Sequence, residues 1–292
     1  MPLISVILPT CDRPHLLPRA VASVRAQTEA DFELLVIDNN RTTAALVGTD
    51  GAGPWSADPR VRLIRAAEAE SAAAARNAGL AAARGEWVTY LDDDDAYRPE
   101  KLARQLELAR HTGAALVLCG AEFHLHGRRR RVQCDVAEWA GDDLLLRARW
   151  NTPLLLHRHP GARRFDESLG AGEDAEFPQR LLAADGTMRV PVVAAAAVDI
   201  FPQSGPRVNA NPAPVWRAAA RILARRRGAY SRAARRCYVL QTLLAIAKLN
   251  RRPGRCLGLG GRLLWASQGR DARTVANALA VSLGFQPGRW VS

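Results

Sequence analysis

The stretch Trp87-Val88-Thr89-Tyr90-Leu91-Asp92-Asp93-Asp94-Asp95 passes directly from a short strand-like run into four consecutive carboxylates. An apolar run of this length, rich in aromatic and β-branched residues, reads as a buried strand. Four adjacent carboxylates at its end repel one another unless a cation lies close. A hard divalent ion, Mg²⁺ or Mn²⁺, takes oxygen ligands and commonly joins carboxylates to substrate phosphates. The bland alternative is a solvated acidic turn ahead of a helix starting near Pro99, since carboxylates also favour helix N-termini.

On either side of this stretch, strand and helix alternate. Leu3-Ile4-Ser5-Val6-Ile7-Leu8 is a first strand, ended by Pro9. Over residues 14–27 the apolar positions Leu16, Leu17, Ala20, Val21 and Val24 recur at helical spacing, with Pro14 suited to a first turn. Phe32-Glu33-Leu34-Leu35-Val36-Ile37 is a second strand ending on Asp38-Asn39-Asn40, and Val61-Arg62-Leu63-Ile64 is a third, followed by an alanine-rich helix over residues 71–83. Strands joined by helical crossovers imply a parallel sheet with helices on both faces and ligands beyond the carboxyl ends of the strands. Three polar clusters would then meet in one crevice: Thr10-Cys11-Asp12-Arg13, Asp38-Asn39-Asn40 and the four aspartates. Neither a Gly-x-Gly-x-x-Gly fingerprint after the first strand nor a Gly-x-x-x-x-Gly-Lys-Ser/Thr loop is present.

Residues 112–170 read less cleanly. Residues 114–119 and 122–125 look like two strands, and residues 126–131, with Arg128 to Arg131, like a hairpin or solvated loop able to meet an anionic acceptor. His124 and His126 point the same way on a strand but have no third ligand beside them, which makes them surface histidines; of His157 and His159, the former is a candidate to line an acceptor cleft. Gly170-Ala171-Gly172-Glu173-Asp174 precedes the pattern Phe177, Leu181, Leu182, so two carboxylates fall in the first turn of an amphipathic helix. Arg180 is expected to pair with a nearby acid.

Charge is split along the chain. Residues 206–292 hold seventeen Lys+Arg and one acid, a net of +16, whereas residues 1–205 hold 24 bases and 28 acids, a net of −4. The expected organisation is an acidic α/β domain over residues 1–205 and a basic helical extension over 206–292. In that extension Trp216, Ala220 and Leu223 form an apolar stripe beside Arg217, Arg221 and Arg225, and residues 238–249 are almost wholly apolar. About 12 residues are too few to cross a bilayer, but they suit packing on the domain, dimerisation, or an interface with anionic lipid. The amino terminus reads as a strand rather than a signal peptide, so the expected compartment is the cytosol, with the tail able to hold the protein at the inner face of the plasma membrane. Five scattered cysteines without a Cys-x-x-Cys pair indicate neither a zinc site nor a disulfide framework.

Six segments together resemble the family 2 glycosyltransferases, which have the nucleotide-sugar-binding GT-A fold. They are Ser5 to Thr10 with Arg13-Pro14; Ser23-Val24-Arg25-Ala26-Gln27-Thr28; Asp31 to Asp38; Ala75-Arg76-Asn77-Ala78-Gly79; Leu91 to Asp95 with Pro99-Glu100-Lys101-Leu102; and Gly172-Glu173-Asp174. The resemblance implies an α/β fold with a mainly parallel sheet, and an inverting, metal-dependent transferase moving a sugar from a UDP-, dTDP- or GDP-sugar to a glycan, lipid-linked or small-molecule acceptor. It places Pro9, Thr10, Asp12, Arg13, Asp38 and Asn39 around the nucleotide and Arg76 at its diphosphate or a neighbouring carboxylate. It maps the Asp-x-Asp signature onto Asp92 and Asp94, with Asp94 the direct ligand of Mn²⁺ or Mg²⁺ and Asp93 facing the ribose or the metal. Asp174 would be the base, with Glu173 as the alternative. The chain departs from the family pattern at Cys11, Asp12, Asn39 and Arg41, which leaves the nucleotide undecided, and it lacks Gln-x-x-Arg-Trp, which favours single additions over polymerisation.

Other readings are a natural-product tailoring transferase and a degenerate GT-A domain whose tail binds an anionic surface or nucleic acid. The tail has no aromatic ladder or recognition motif, so no specific nucleic acid partner is expected. A nucleotidyltransferase on a similar scaffold is disfavoured by the absence of a glycine-rich basic phosphate loop.

Overall fold

The computed structural model describes residues 1–40, 57–125, 127–202, 212–225 and 228–249. Its elements in chain order are β1 (Ile4–Thr10), α1 (Leu17–Arg25), β2 (Phe32–Asp38), β3 (Val61–Arg65), α2 (Ala72–Ala82), β4 (Trp87–Tyr90), β5 (Ala96–Tyr97), α3 (Lys101–Thr112), β6 (Leu116–Leu125), β7 (Arg128–Val132) and β8 (Glu138–Ala140), then α4 (Asp143–Leu146), a 3₁₀ turn (Thr152–Leu154), β9 (Leu155–Arg158), α5 (Glu173–Ala184), β10 (Arg189–Ile200), α6 (Pro212–Arg225) and α7 (Arg232–Leu249). They fall into two compact units. The first comprises residues 1–139, 149–168 and 173–204, and the second residues 140–148, 169–172 and 205–292.

The first unit is built on a sheet of order β3-β2-β1-β4-β9-β6-β10-β5. β3, β2, β1 and β4 run parallel. β9 is antiparallel to both β4 and β6, so β6 and its parallel neighbour β10 point the same way as β4. The carboxyl ends of six strands therefore share one edge, as the alternating pattern predicts. In register along that edge, Thr10 is paired with Asp38 and Asp38 with Arg65. β1 and β2 are apolar almost throughout because both faces are covered, and Ile4, Ile7, Leu8, Leu34, Leu35 and Ile37 are wholly buried. Each such side chain contributes about 1.5–3 kcal/mol of transfer free energy.

Alanine and glycine in α2 let that helix sit directly on the sheet, since a Cβ at Gly79 would overlap the Ile7 side chain. Asn77, two residues earlier, clamps the strap leading to α5: its Oδ1 accepts the Phe165 N–H at 2.7 Å and its Nδ2 donates to Phe165 O at 3.0 Å and Glu167 at 2.7 Å. Gly120 does not break a strand. β6 is continuous through it where two strands are expected from the sequence, because the residue answers close packing: a Cβ there would lie 2.7 Å from both Ala195 O and Cys134 Sγ. The two-residue β5, the antiparallel β9 and the long β10 have no counterpart in the sequence reading. His126 lies outside the described residues.

In the second unit, α7 packs against α6 and α4, and Ser231 N donates to Asp142 Oδ1 at 2.8 Å. The buried stripe of α6 is Ala218, Ala219 and Ile222, while Ala220 is exposed and Leu223 half-buried. That displaces the expected Trp216-Ala220-Leu223 stripe around the helix. The side chains of Trp216 and of residues 243–249 lie outside the described residues. Among the described residues no helix is long and apolar enough to cross a membrane.

Candidate donor and catalytic site

β4 delivers the aspartates as a tight turn in which Asp95 N donates to Asp92 O at 3.1 Å. Their side chains alternate in accessibility. Asp93 is completely buried, whereas Asp92 and Asp94 keep 33% and 19% exposure. Asp93 accepts from Thr10 Oγ1 at 2.9 Å and lies 2.6 Å from Arg13 Nη2, so it fastens the turn to the end of β1. Burial lifts its carboxyl to a pKa of about 6, against the opposing pull of Arg13 and Thr10. Asp95 is also buried and accepts the Phe201 N–H at 3.0 Å; burial first, and the Asp92 charge second, push it well above the carboxylate range. Only Asp92 and Asp94, two positions apart, are left to face a ligand.

Arg76 connects this turn to α5. Its Nη2 donates to Asp92 Oδ1 at 2.8 Å and its Nη1 to Glu173 Oε1 at 3.0 Å. Burial works against its charge, but Asp92 and Glu173 outweigh burial and raise its pKa. Asp174 follows in the same first turn, its carboxyl raised by burial and then by Glu173, with Arg76 opposing. One guanidinium thus holds the aspartate turn and the Glu-Asp pair at a common distance.

At the ends of β1 and β2 the second cluster is already internally bonded. Asp38 is buried, with Oδ2 2.6 Å from Arg65 Nη1 and Oδ1 accepting from Asn40 Nδ2 at 2.6 Å and Asn40 N at 3.0 Å. Asn40 Oδ1 accepts the Asp12 N–H, and Asp12 has a positive φ of 54°. Asn39 N donates to Thr10 O at 3.2 Å, and its side chain reaches Ala69 O at 3.4 Å. Pro9 lies within β1, paired with Ile37. Thr10, Asp12, Asp38 and Asn39 therefore lie at the carboxyl ends of β1 and β2, and the aspartate turn lies at that of β4. Arg65 was not singled out; extending the third strand by one residue would have placed it opposite Asp38.

Beneath the turn is a buried polar network. Lys101 is fully buried, donates from Nζ to Thr89 Oγ1 at 2.6 Å and lies 4.0 Å from the Tyr97 ring centroid. Among the described residues no carboxylate faces it, and burial drives its pKa down to about 7. Tyr97 donates its hydroxyl to Tyr90 O, at the end of β4. His157 is core rather than cleft. Its Nε2 meets Tyr90 OH at 3.0 Å and its Nδ1 meets the Arg158 carbonyl at 2.7 Å, so Nδ1 carries the proton and Nε2 accepts. Burial lowers its pKa to about 4. Arg180 pairs with Glu176 at 3.1 Å.

Two places could suit a cation. Glu122, His124 and Asp199 bring one ligand atom each within 4.8 Å of one another. Arginines already occupy them: Arg98 forks onto Asp199 at 2.8 and 3.1 Å, Arg131 Nε reaches Glu122 at 3.1 Å, and Arg129 Nη1 lies 3.6 Å from Glu122. Three guanidiniums around two carboxylates leave no negative charge to attract a metal. The aspartate turn fits better. Burial, then repulsion from Asp92, raises the Asp94 pKa, a strain that a cation between the two carboxylates would relieve.

ExoO, a succinoglycan biosynthesis protein of Rhizobium meliloti, is 31% identical over 209 residues, which cover 65% of this chain and 58% of ExoO. The chain spans smaller shares of several other curated relatives. The crystal structure of S. aureus TarS 1-349 in complex with UDP-GlcNAc matches with a TM-score of 0.67 at 18% identity, over 99% of this chain and 82% of that one. The mannosyltransferase PcManGT from Pyrobaculum calidifontis, solved with GDP-Man and Mn²⁺, matches with a TM-score of 0.54 at 19% identity, over 97% and 75%. At these identities the likeness is one of fold, the GT-A fold. The model of the family described as Glycosyl transferase family 2 matches residues 5–169, more than half of the 292, and the chain belongs to that family.

Proposed function

We propose that this chain transfers a sugar from a nucleotide diphosphate sugar to an acceptor hydroxyl, with inversion and with Mn²⁺ or Mg²⁺ as cofactor, in the assembly of a cell-surface glycan. The observation that carries this reading is the fork of Arg76, which joins Asp92 at 2.8 Å to Glu173 at 3.0 Å and so sets a phosphate-side carboxylate beside a candidate base. Thr10, Asp12, Asp38 and Asn39 line the nucleoside, Arg13 and Arg76 face the diphosphate, and Asp92 and Asp94 hold the cation, with Asp94 the direct ligand. Bound there, the ion would neutralise charge on the departing nucleoside diphosphate. Asp174 takes the acceptor's proton as its oxygen bonds to the anomeric carbon and the carbon–diphosphate bond breaks on the opposite face. A carboxyl raised toward neutrality is well matched to that proton transfer. The succinoglycan role of ExoO, the UDP-GlcNAc bound by TarS, and the GDP-Man and Mn²⁺ bound by PcManGT support the glycan class, the donor type and the ion.

Residues 1–205 form the catalytic domain in this reading. The extension over 206–292, with its net charge of +16, holds the domain to anionic lipid at the cytoplasmic face, near a lipid-linked acceptor. Calorimetric titration with UDP, dTDP, GDP and CDP in the presence of Mn²⁺ tests the donor site. Metal-dependent binding of one nucleotide, abolished by Asp94→Ala, supports the reading; a folded protein that binds none of them defeats it.

A further inference from the structure

Asp95 turns inward, and it holds the far side of the sheet. Its Oδ1 accepts the N–H of Phe201 at 3.0 Å, just past the end of β10. The Phe201 ring carries two flat partners. The His124 imidazole stacks on it with centroids 4.4 Å apart and planes 18° apart, and the Arg19 guanidinium lies 4.0 Å from the ring centroid. Arg19, on α1, donates in turn to the main-chain oxygen of Asp94. His124 is fixed from behind by Asp199 at 2.8 Å. The contacts close a circuit: Asp94 carbonyl, Arg19, Phe201 ring, Phe201 N–H, Asp95 carboxylate. Two neighbouring residues of a like-charged turn are thereby tied, one by main chain and one by side chain, to the same aromatic residue.

We infer that Phe201 and Arg19 are positioning residues that hold the aspartate turn closed, keeping Asp95 inside and the Asp94 carboxylate at the ligand edge. Without them, repulsion among four carboxylates favours an open turn. The consequence for donor binding rests on the function proposed above; the ordering of the turn does not. A cation–π contact shifts an opening equilibrium by about two- to thirtyfold, and a hydrogen bond to a charged group by about ten- to a hundredfold.

The test is amide hydrogen exchange of the full chain without metal, comparing wild type, Phe201→Ala, Phe201→Tyr and Arg19→Met. Exchange at residues 92–95 should quicken about tenfold in Phe201→Ala and Arg19→Met and stay within about threefold of wild type in Phe201→Tyr, which keeps the ring. Arg19 is exposed, so its replacement reports on the turn even if Phe201→Ala fails to fold. Unchanged exchange in Arg19→Met overturns the inference. Titration of the same proteins with UDP or GDP and Mn²⁺ separates the two ideas. A wild type that binds neither of these, nor dTDP or CDP, sinks the donor-site reading alone, whereas loss of affinity in step with faster exchange ties the clamp to that site.

Discussion

Replacing Lys101 by Met should stabilise the protein below pH 7 and lose that advantage as the pH rises. Lys101 is fully buried, with Thr89 Oγ1 at 2.6 Å and Leu155 O at 3.5 Å as its acceptors and, among the described residues, no carboxylate opposite. Its pKa falls from 10.5 to about 7. Between those values the unfolded chain binds a proton that the folded chain does not, so stability rises with pH across the window, and below it the full cost of a buried ammonium is present. At roughly 1.4 kcal/mol per tenfold change, that full cost is on the order of 5 kcal/mol, of which about 3 kcal/mol is relieved between pH 6 and pH 9. Met keeps the volume and the contact with Tyr97 and forfeits one hydrogen bond of about 1 kcal/mol. Urea unfolding at pH 6 and pH 9 should therefore show Lys101→Met ahead of wild type by about 2–4 kcal/mol at pH 6 and close to it at pH 9. A variant less stable than wild type at pH 6, or a difference that does not change with pH, would refute the reasoning.

Other consequences can be measured independently. His157 is neutral and buried with its pKa lowered from 6.5 to about 4, so the stability of wild type relative to His157→Gln should fall by about 3 kcal/mol as the pH drops from 7.5 to 4, read by urea unfolding; a flat difference contradicts the buried neutral imidazole. Asp94→Asn should weaken Mn²⁺-dependent nucleotide binding more than about tenfold, while Asp95→Asn, which can still accept the Phe201 N–H, should stay within about threefold. Equal losses would put both carboxylates on the ligand. Arg65→Met frees Asp38 Oδ2 to accept the N3–H of uracil or thymine, and so should shift binding toward UDP and dTDP over CDP by about tenfold in competition titrations. Asp174→Asn should lower kcat by about 10²- to 10⁴-fold with little change in donor KM.

The sheet was legible because its first four parallel strands are short apolar runs, three of them ended by a polar cluster, and the ordinary right-handed connections of βαβ units bring those ends together. The strands that sequence reasoning missed lack that signature. β9, Leu155–Arg158, carries His157 in the core through two hydrogen bonds that only tertiary partners supply. β10 carries Pro191 and a run of four alanines among its valines, a composition that does not read as one strand. Gly120 reads as a break but meets a crowded backbone. In the site, the aspartates and the Glu-Asp pair stood out as local charge runs. Which aspartate faces outward did not, because it depends on Thr10, Arg13 and Phe201, each far away in sequence. Arg76 was recognised by position, yet its double ion pair arises only when α5 folds back across the sheet edge. Arg19 looks like any exposed helix arginine until β10 brings Phe201 beneath it.

Paramagnetic broadening by Mn²⁺ in the presence of UDP or GDP tests the central claim most directly, because it reports where the ion sits rather than whether ligand binds. Broadening should centre on the amides of Asp92 to Asp94, reach Thr10 and Arg76, and disappear in Asp94→Ala. Broadening centred on His124 and Asp199, or none near the aspartate turn, would contradict the account.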